Sequence, residues 1–284
     1  MDLFLSIGLD ALSYVLTLLL VTLGLVIIYG MMNIINMAHG ELFLLGAYTV
    51  VALQAVGVPI WLGFVAAPIV VGLAGVVIEQ LVIRHVYGRP IDTILATWGL
   101  SIAIKQVIVI LFGPAAISLS NPVPGSVSIV GVEYPAYRLV IMAVAALLAL
   151  ATYLVVYRTS AGLQIRAVIS NRAMAGSLGV NTRLMDRATF AVGAGLAGIA
   201  GAVMAPIMSV DPQMGVGFLI PAFLAVLVGG LNSLFGAVLG AGAIGGATSI
   251  FSAGMEQASA QIGVFLLAII VIRLFPQGIW KESR

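Results

Sequence analysis

The sequence contains no cysteine, which excludes disulfides and thiol chemistry. Charge is scarce as well: 8% of its 284 residues are Asp, Glu, Lys or Arg, against roughly 25% in soluble domains. So few ionisable groups cannot cover the surface of a water-soluble protein of this size. No G-x-x-x-x-G-K-[ST] loop is present, so ATP is not bound through that motif. The two histidines, His39 and His85, have no partner carboxylate at metal-ligand spacing, and no nucleophile–base pair is legible. No catalytic residue, metal or cofactor is therefore expected in this chain, and an enzyme is disfavoured. The N-terminal MDLFLSIGLD holds two acids and no Lys or Arg, so it lacks the basic region of a cleaved secretory signal. A net charge of +2 points to loop bias and gives no reason to expect nucleic acid.

What the sequence has is apolar length. Hydrophobic residues make up 62% of it, and 11–40 and 42–80 carry no charge apart from Glu79. A spanning helix needs about 20 apolar residues, and backbone groups in lipid must be satisfied internally. The runs show none of the alternation of a membrane barrel. The expected fold is all-α: a polytopic transmembrane helical bundle of 8–9 segments, forming one transmembrane domain over 1–284 with no soluble module.

Basic residues orient the chain by the positive-inside rule. Arg84 and Arg89 share one loop, Arg158, Arg166, Arg172, Arg183 and Arg187 a second, and Arg273, Lys281 and Arg284 lie at the end. These regions are expected in the cytoplasm. The opposite loops hold Asp2 and Asp10, then Glu133, Asp211 and Glu256. The N-terminus is thus expected outside and the C-terminus in the cytoplasm. Nine passes fit, near 11–31, 42–56, 59–82, 93–112, 138–157, 188–208, 218–232, 235–253 and 261–276. The second and seventh, about 15 residues each, cover roughly 22 Å, short of the ~30 Å hydrocarbon core. They are expected to be broken or re-entrant.

Two interruptions stand out. In GMMNIINMAHGELFLLGAY (30–48), Asn33, Asn36, His39 and Glu41 follow a span, and a new helix is expected to begin near Glu41. An acid in a first turn suits the positive end of the helix dipole. This stretch is either a capped cytoplasmic turn or a break lining a solute pathway. In GGLNSLFGAVLGAGAIGG (229–246), Gly229, Gly230, Asn232 and Ser233 separate two short apolar segments, and paired breaks in two halves of a transporter point to one pathway. Most other glycines, such as Gly193 and Gly201 with Ala197 between them, have the small-xxx-small spacing of close helix packing in lipid.

Lys105 lies inside the apolar run 93–112. It either snorkels to the outer interface or faces a polar cavity, and the nearby end of the run favours the interface. In 158–187, Gln164 to Leu178 is compatible with one helix whose stripe of Ile165, Val168, Ala175 and Leu178 wants a covering surface. The five arginines there either set topology alone or flank a docking helix for a cytoplasmic partner.

INMAHGE (35–41), RTSAGLQIRAVISNRAMAGSLGVNT (158–182), LAGIAGAVMAPIMSVDPQMG (196–215), VLVGGLNSLFGAVLGA (226–241) and FPQGIW (275–280) together resemble the permease subunits of ABC importers for branched-chain amino acids, urea and short-chain amides. The resemblance covers nearly the whole chain. Three stretches look more like the urea and amide branch: ILATWGLS (94–101), the LFG…SNP pattern from Leu111 to Pro122, and SVDPQMG (209–215). Lys105 departs from the family, where a neutral residue, often Gln, is usual. The resemblance implies a second homologous permease chain, more often different than identical, two cytoplasmic ATPases and an external solute-binding protein, in the inner membrane of a prokaryote. It implies ATPase coupling through 158–187, with Arg166, Asn171, Arg172, Ala175, Leu178 and Gly179 as the contact residues. Urea or a short amide is the expected solute, with branched-chain amino acids as the alternative and an ATP-independent carrier or channel as the rival.

Overall fold

A computed structural model describes residues 2–231 and 233–280. Among the described residues nine helices follow the apolar runs: α1 (Asp2–Met32), α2 (His39–Ala55), α3 (Ile60–Leu81), α4 (Pro90–Phe112), α5 (Ala136–Arg158), α8 (Thr182–Met204), α9 (Met214–Gly229), α10 (Leu234–Gly254) and α11 (Gln257–Leu274). Two short helices, α6 (Ser160–Ser170) and α7 (Arg172–Ser177), lie between α5 and α8. Among the described residues six helices are long and apolar enough to cross a membrane, namely α1, α3, α4, α5, α8 and α10. The expected short segments are α2, with 17 residues, and α9, with 16. Both begin earlier than the sequence suggests, because His39 and Met214 already have helical backbone.

Helix α8 organises the bundle, since α1, α2 and α3 all pack on it. Its glycines make this possible. A Cβ on Gly193 would stand 2.7 Å from the carbonyl oxygen of Gly24 in α1, and one on Gly198 would stand 2.7 Å from Cβ of Val71 in α3. A Cβ on Gly201 would fall on the carbonyl of Phe43 in α2. Lipid supplies no hydrophobic drive between helices, so this close van der Waals approach holds them together. Helices α4 and α5 are peripheral: 17% of each apolar span is buried, against 67% of α8.

The two ends of the bundle differ in chemistry. At one end a hairpin joins β1 (Ser126–Ile129) to β2 (Val132–Pro135) through Val130 and Gly131, both at positive φ, as a two-residue type I′ turn requires. At this end Ile117 and Val210 exchange backbone hydrogen bonds 2.9 Å long, Tyr134 donates to the Leu9 carbonyl at 3.2 Å, and Arg138 pairs with Asp10. The other end gathers α6, α7 and the 82–89 loop, and with them Arg84, Arg89, Arg158, Arg166, Arg172, Arg183 and Arg187.

Candidate functional site

The first break runs from Asn33 to Ala38 and folds back into the bundle. Asn33 is exposed and takes a positive φ of 54°, which turns the chain out of α1. The remaining polar residues are buried: Asn36, His39 and Glu41 each have at most 1% of their surface exposed. Asn36 Oδ1 accepts from the Ala38 N–H at 3.0 Å, and His39 Nε2 lies 3.0 Å from the carbonyl oxygen of Val21, in the middle of α1. Helix α2 therefore starts beside the middle of α1. Gly40 allows this, since a Cβ there would stand 2.5 Å from the carbonyl of Gly215 in α9.

Helix α4 closes the break with a polar row at every fourth residue: Thr93, Thr97, Ser101 and Lys105. Such spacing places all four on one helix face. Thr97 Oγ1 accepts from the Met37 N–H at 3.1 Å and donates to the Thr93 carbonyl at 2.8 Å. Ser101 donates to Glu41 Oε1 at 2.8 Å, and Lys105 Nζ lies 3.5 Å from the same oxygen. Lys105 thus does not snorkel to the outer interface. A buried carboxylate outcompetes the interface because an ammonium in lipid needs a counter-charge, and the side chain is only 19% exposed. Asn36 Nδ2, His39 Nδ1 and Glu41 Oε2 have no protein partner.

The second break behaves differently. Gly229 and Gly230 end α9, with Gly230 at a φ of 117°. Ser233 caps α10, its Oγ accepting from the Gly236 N–H at 3.1 Å. The segment FPQGIW folds over the gap: the Ile279 N–H donates to the Val228 carbonyl at 2.8 Å, and the Trp280 N–H to that of Gly229 at 3.2 Å. Asn232 lies outside the described residues.

The segment 158–187 is not one helix from Gln164 to Leu178. Asn171 leaves helical backbone, with φ −155° and ψ 98°, and its side chain caps α7 by accepting from the Met174 N–H at 2.9 Å. Asn competes with the helical backbone in this way, and the corner separates α6 from α7. Of the expected stripe, Val168 and Ala175 are buried and Ile165 is partly buried, whereas Leu178 is 78% exposed. Gly179, at a φ of 88°, ends the motif. Arg166 lies 5.3 Å from the ring centre of Tyr157. Leu163, Ile169, Met174, Leu178 and Leu184 leave apolar surface exposed here.

Two buried carboxylates, Glu79 and the Asp186 that the sequence reading passed over, anchor this end of the bundle. Arg172 grips Asp186 with both guanidinium nitrogens, Nη1 at 3.1 Å from Oδ1 and Nη2 against Oδ2. That hydrogen bond raises the pKa of Arg172 above its ordinary value. Glu79 accepts from Tyr87 at 2.8 Å and stands 3.5 Å from Nε of Arg187. Asp186 is the only acid in 158–187, a signal that could have marked it. Among the described residues no group of three His, Asp or Glu is placed to hold a metal ion. A groove of about 480 Å³ between α3, α5 and α8, lined by Trp61, Phe64, Pro68, Tyr137, Ile141 and Val203, offers little to a polar solute.

The chain is similar to the high-affinity branched-chain amino acid transport system permease protein LivH of Salmonella typhimurium, 28% identical over 92% of this chain and 90% of that one. LivH of Escherichia coli and BraD of Pseudomonas aeruginosa, which bears the same description, match at 28% over the same shares. Its fold is similar to a chain of the solved PsaBC from Streptococcus pneumoniae in complex with Fab, with a TM-score of 0.57, 16% identity, and coverage of 94% of this chain and 91% of that chain. Residues 7–274 match the model of the family described as branched-chain amino acid transport system, permease component, and the chain belongs to that family.

Proposed function

We propose that this chain is the membrane-spanning permease subunit of an ATP-driven importer of branched-chain amino acids, in the inner membrane of a prokaryote. The observation that carries the ATP-driven part is the surface of α6 and α7. It combines exposed Leu163, Ile169, Met174 and Leu178 with Arg158, Arg166 and Arg183, and the bundle's own buried charges hold it in place. An apolar, basic surface at the arginine-rich end suits a docking site for cytoplasmic ATPases, which this chain needs because it has no phosphate loop. On this reading the N-terminus is outside, and Arg166, Asn171, Arg172, Ala175, Leu178 and Gly179 form or shape the docking motif. A second homologous permease and an external solute-binding protein complete the importer.

Branched-chain amino acids replace urea and short amides as the proposed solute. The relatives matched across the chain carry the amino-acid description, whereas the urea and amide reading rests on three short stretches of sequence. The first break is the proposed solute-pathway element, because Asn36, His39 and Glu41 place unpartnered polar atoms inside the bundle. Uptake of labelled leucine, urea and a short amide, in cells with and without the gene and with and without ATP depletion, tests the proposal. Leucine uptake is expected to be lost on deletion and lost equally on ATP depletion. Loss of urea or amide uptake alone would restore the other solute. Gene-dependent uptake that survives ATP depletion would leave a self-contained carrier.

A further inference from the structure

We propose that Asp186 is a positioning residue that makes α7 and α8 move as one body, so that displacement of the docking segment reaches the first break. The proposal rests on the docking reading above and adds the route that docking takes.

Asp186 is fully buried in the first turns of α8, yet its partner Arg172 sits on α7, across the corner that ends at Gly179. A guanidinium gripping both oxygens of a carboxylate fixes orientation as well as distance. The grip is therefore a joint with a defined angle, unlike a single flexible contact. At the next residue Arg187 faces Glu79 of α3, and Tyr87 from the 82–89 loop holds the other oxygen of Glu79. The start of α8 is thus tied on two sides by charge.

Further along α8 there is little slack. Gly193 meets the backbone of Gly24, Gly198 meets Val71 and the backbone of Gly46, and Gly201 meets the backbone of Phe43. Close-packed interiors transmit displacement instead of absorbing it. Gly24 also neighbours His39, since a Cβ on Gly24 would stand 3.1 Å from the His39 ring. A shift of α7 gripped at Asp186 therefore acts on α1 and α2 where the polar break lies. Were α7 held only by the 178–181 link, it could tilt without carrying α8.

The test compares the assembled importer containing D186N with the unaltered one, both in proteoliposomes with the solute-binding protein and leucine. The expected result is retained ATPase co-purification and retained ATP hydrolysis, with leucine moved per ATP falling about tenfold or more, within the range of allosteric coupling energies. Unchanged leucine per ATP would overturn the proposal, as would loss of assembly, which would make Asp186 a residue of the fold alone. A second measurement leaves Asp186 intact. The chain has no cysteine, so A173C and A188C on α7 and α8, with partner cysteines replaced, report one spin-label distance. The same distance with and without ATP is expected, and a distance that changes with ATP would overturn the joint. Absence of ATPases from the unaltered preparation would instead remove the docking reading and this proposal with it.

Discussion

The two breaks look alike in sequence, each setting Asn and Gly between apolar runs, but the fold closes them by different means. The first is closed by side chains: His39 reaches α1, while Glu41 and the Met37 amide are held by α4. The second is closed by backbone, as the amides of Ile279 and Trp280 donate to the carbonyls that end α9. Polar side chains in a low-dielectric interior are costly unless satisfied, and the first break leaves Asn36, His39 and Glu41 each with an unpartnered atom. Among the described residues the second break contributes no such atom. The two breaks therefore differ in unsatisfied hydrogen-bonding capacity, which the first keeps inside the bundle.

The largest effect is expected where that comparison is most electrostatic. Lys105→Met removes the cation beside Glu41 and leaves a buried carboxylate unpaired, a change that costs ~3–5 kcal/mol in buried pairs. Detergent-solubilised K105M should unfold at markedly lower temperature than the parent chain. The double variant K105M/E41Q should regain most of that loss, because removing both charges of a buried pair is often near neutral. A K105M protein as stable as the parent would mean that Glu41 does not depend on the Lys105 charge, and the pair would not be what closes the first break.

Much of this architecture was legible in the sequence, because apolar length and arginine placement are one-dimensional signals. The positions of α2 and α9 as short segments, and the polar interruption at 33–41, follow from them. What stayed hidden depends on partners far apart in the chain. Lys105 could not be matched to Glu41, 64 positions away, since a row of Thr93, Thr97, Ser101 and Lys105 marks a polar face without naming what it faces. The corner at Asn171 was missed because apolar periodicity runs through it, while the local competition of an Asn side chain for Met174 decides the backbone. Nothing local in the sequence ties Glu79 to Arg187, 108 positions on, or Asp186 to Arg172 across the corner at Gly179; only the fold places them together.

A smaller effect should mark the second break. Gly278→Ala places a Cβ 2.5 Å from the Cα of Gly230, backbone against backbone, and Gly278 sits at a φ of 87°. Overpacking of this kind typically costs ~1–3 kcal/mol. The segment 275–280 should detach before the bundle melts, seen as faster proteolysis after Phe275 with little change in the main unfolding temperature. Loss of the whole bundle at the same point would show that the tail is integral to the second break and does not merely cover it.

The smallest difference separates two local side-chain acceptors, Ser233 capping α10 and Asn36 before α2. Ser233→Ala removes the acceptor for the Gly236 N–H, and losing an N-cap side chain costs about 1 kcal/mol. Asn36→Ala removes an acceptor too, that for the Ala38 N–H, but it also removes an amide nitrogen that already lacks a partner. The second term offsets part of the first, since a buried donor without a bond carries a desolvation cost of about 1–3 kcal/mol. Asn36→Ala should therefore lower the unfolding temperature less than Ser233→Ala does, while lowering leucine uptake more. The reverse order in stability would mean that the Asn36 nitrogen is satisfied by water in the resting protein, and the first break would then be hydrated before any solute arrives.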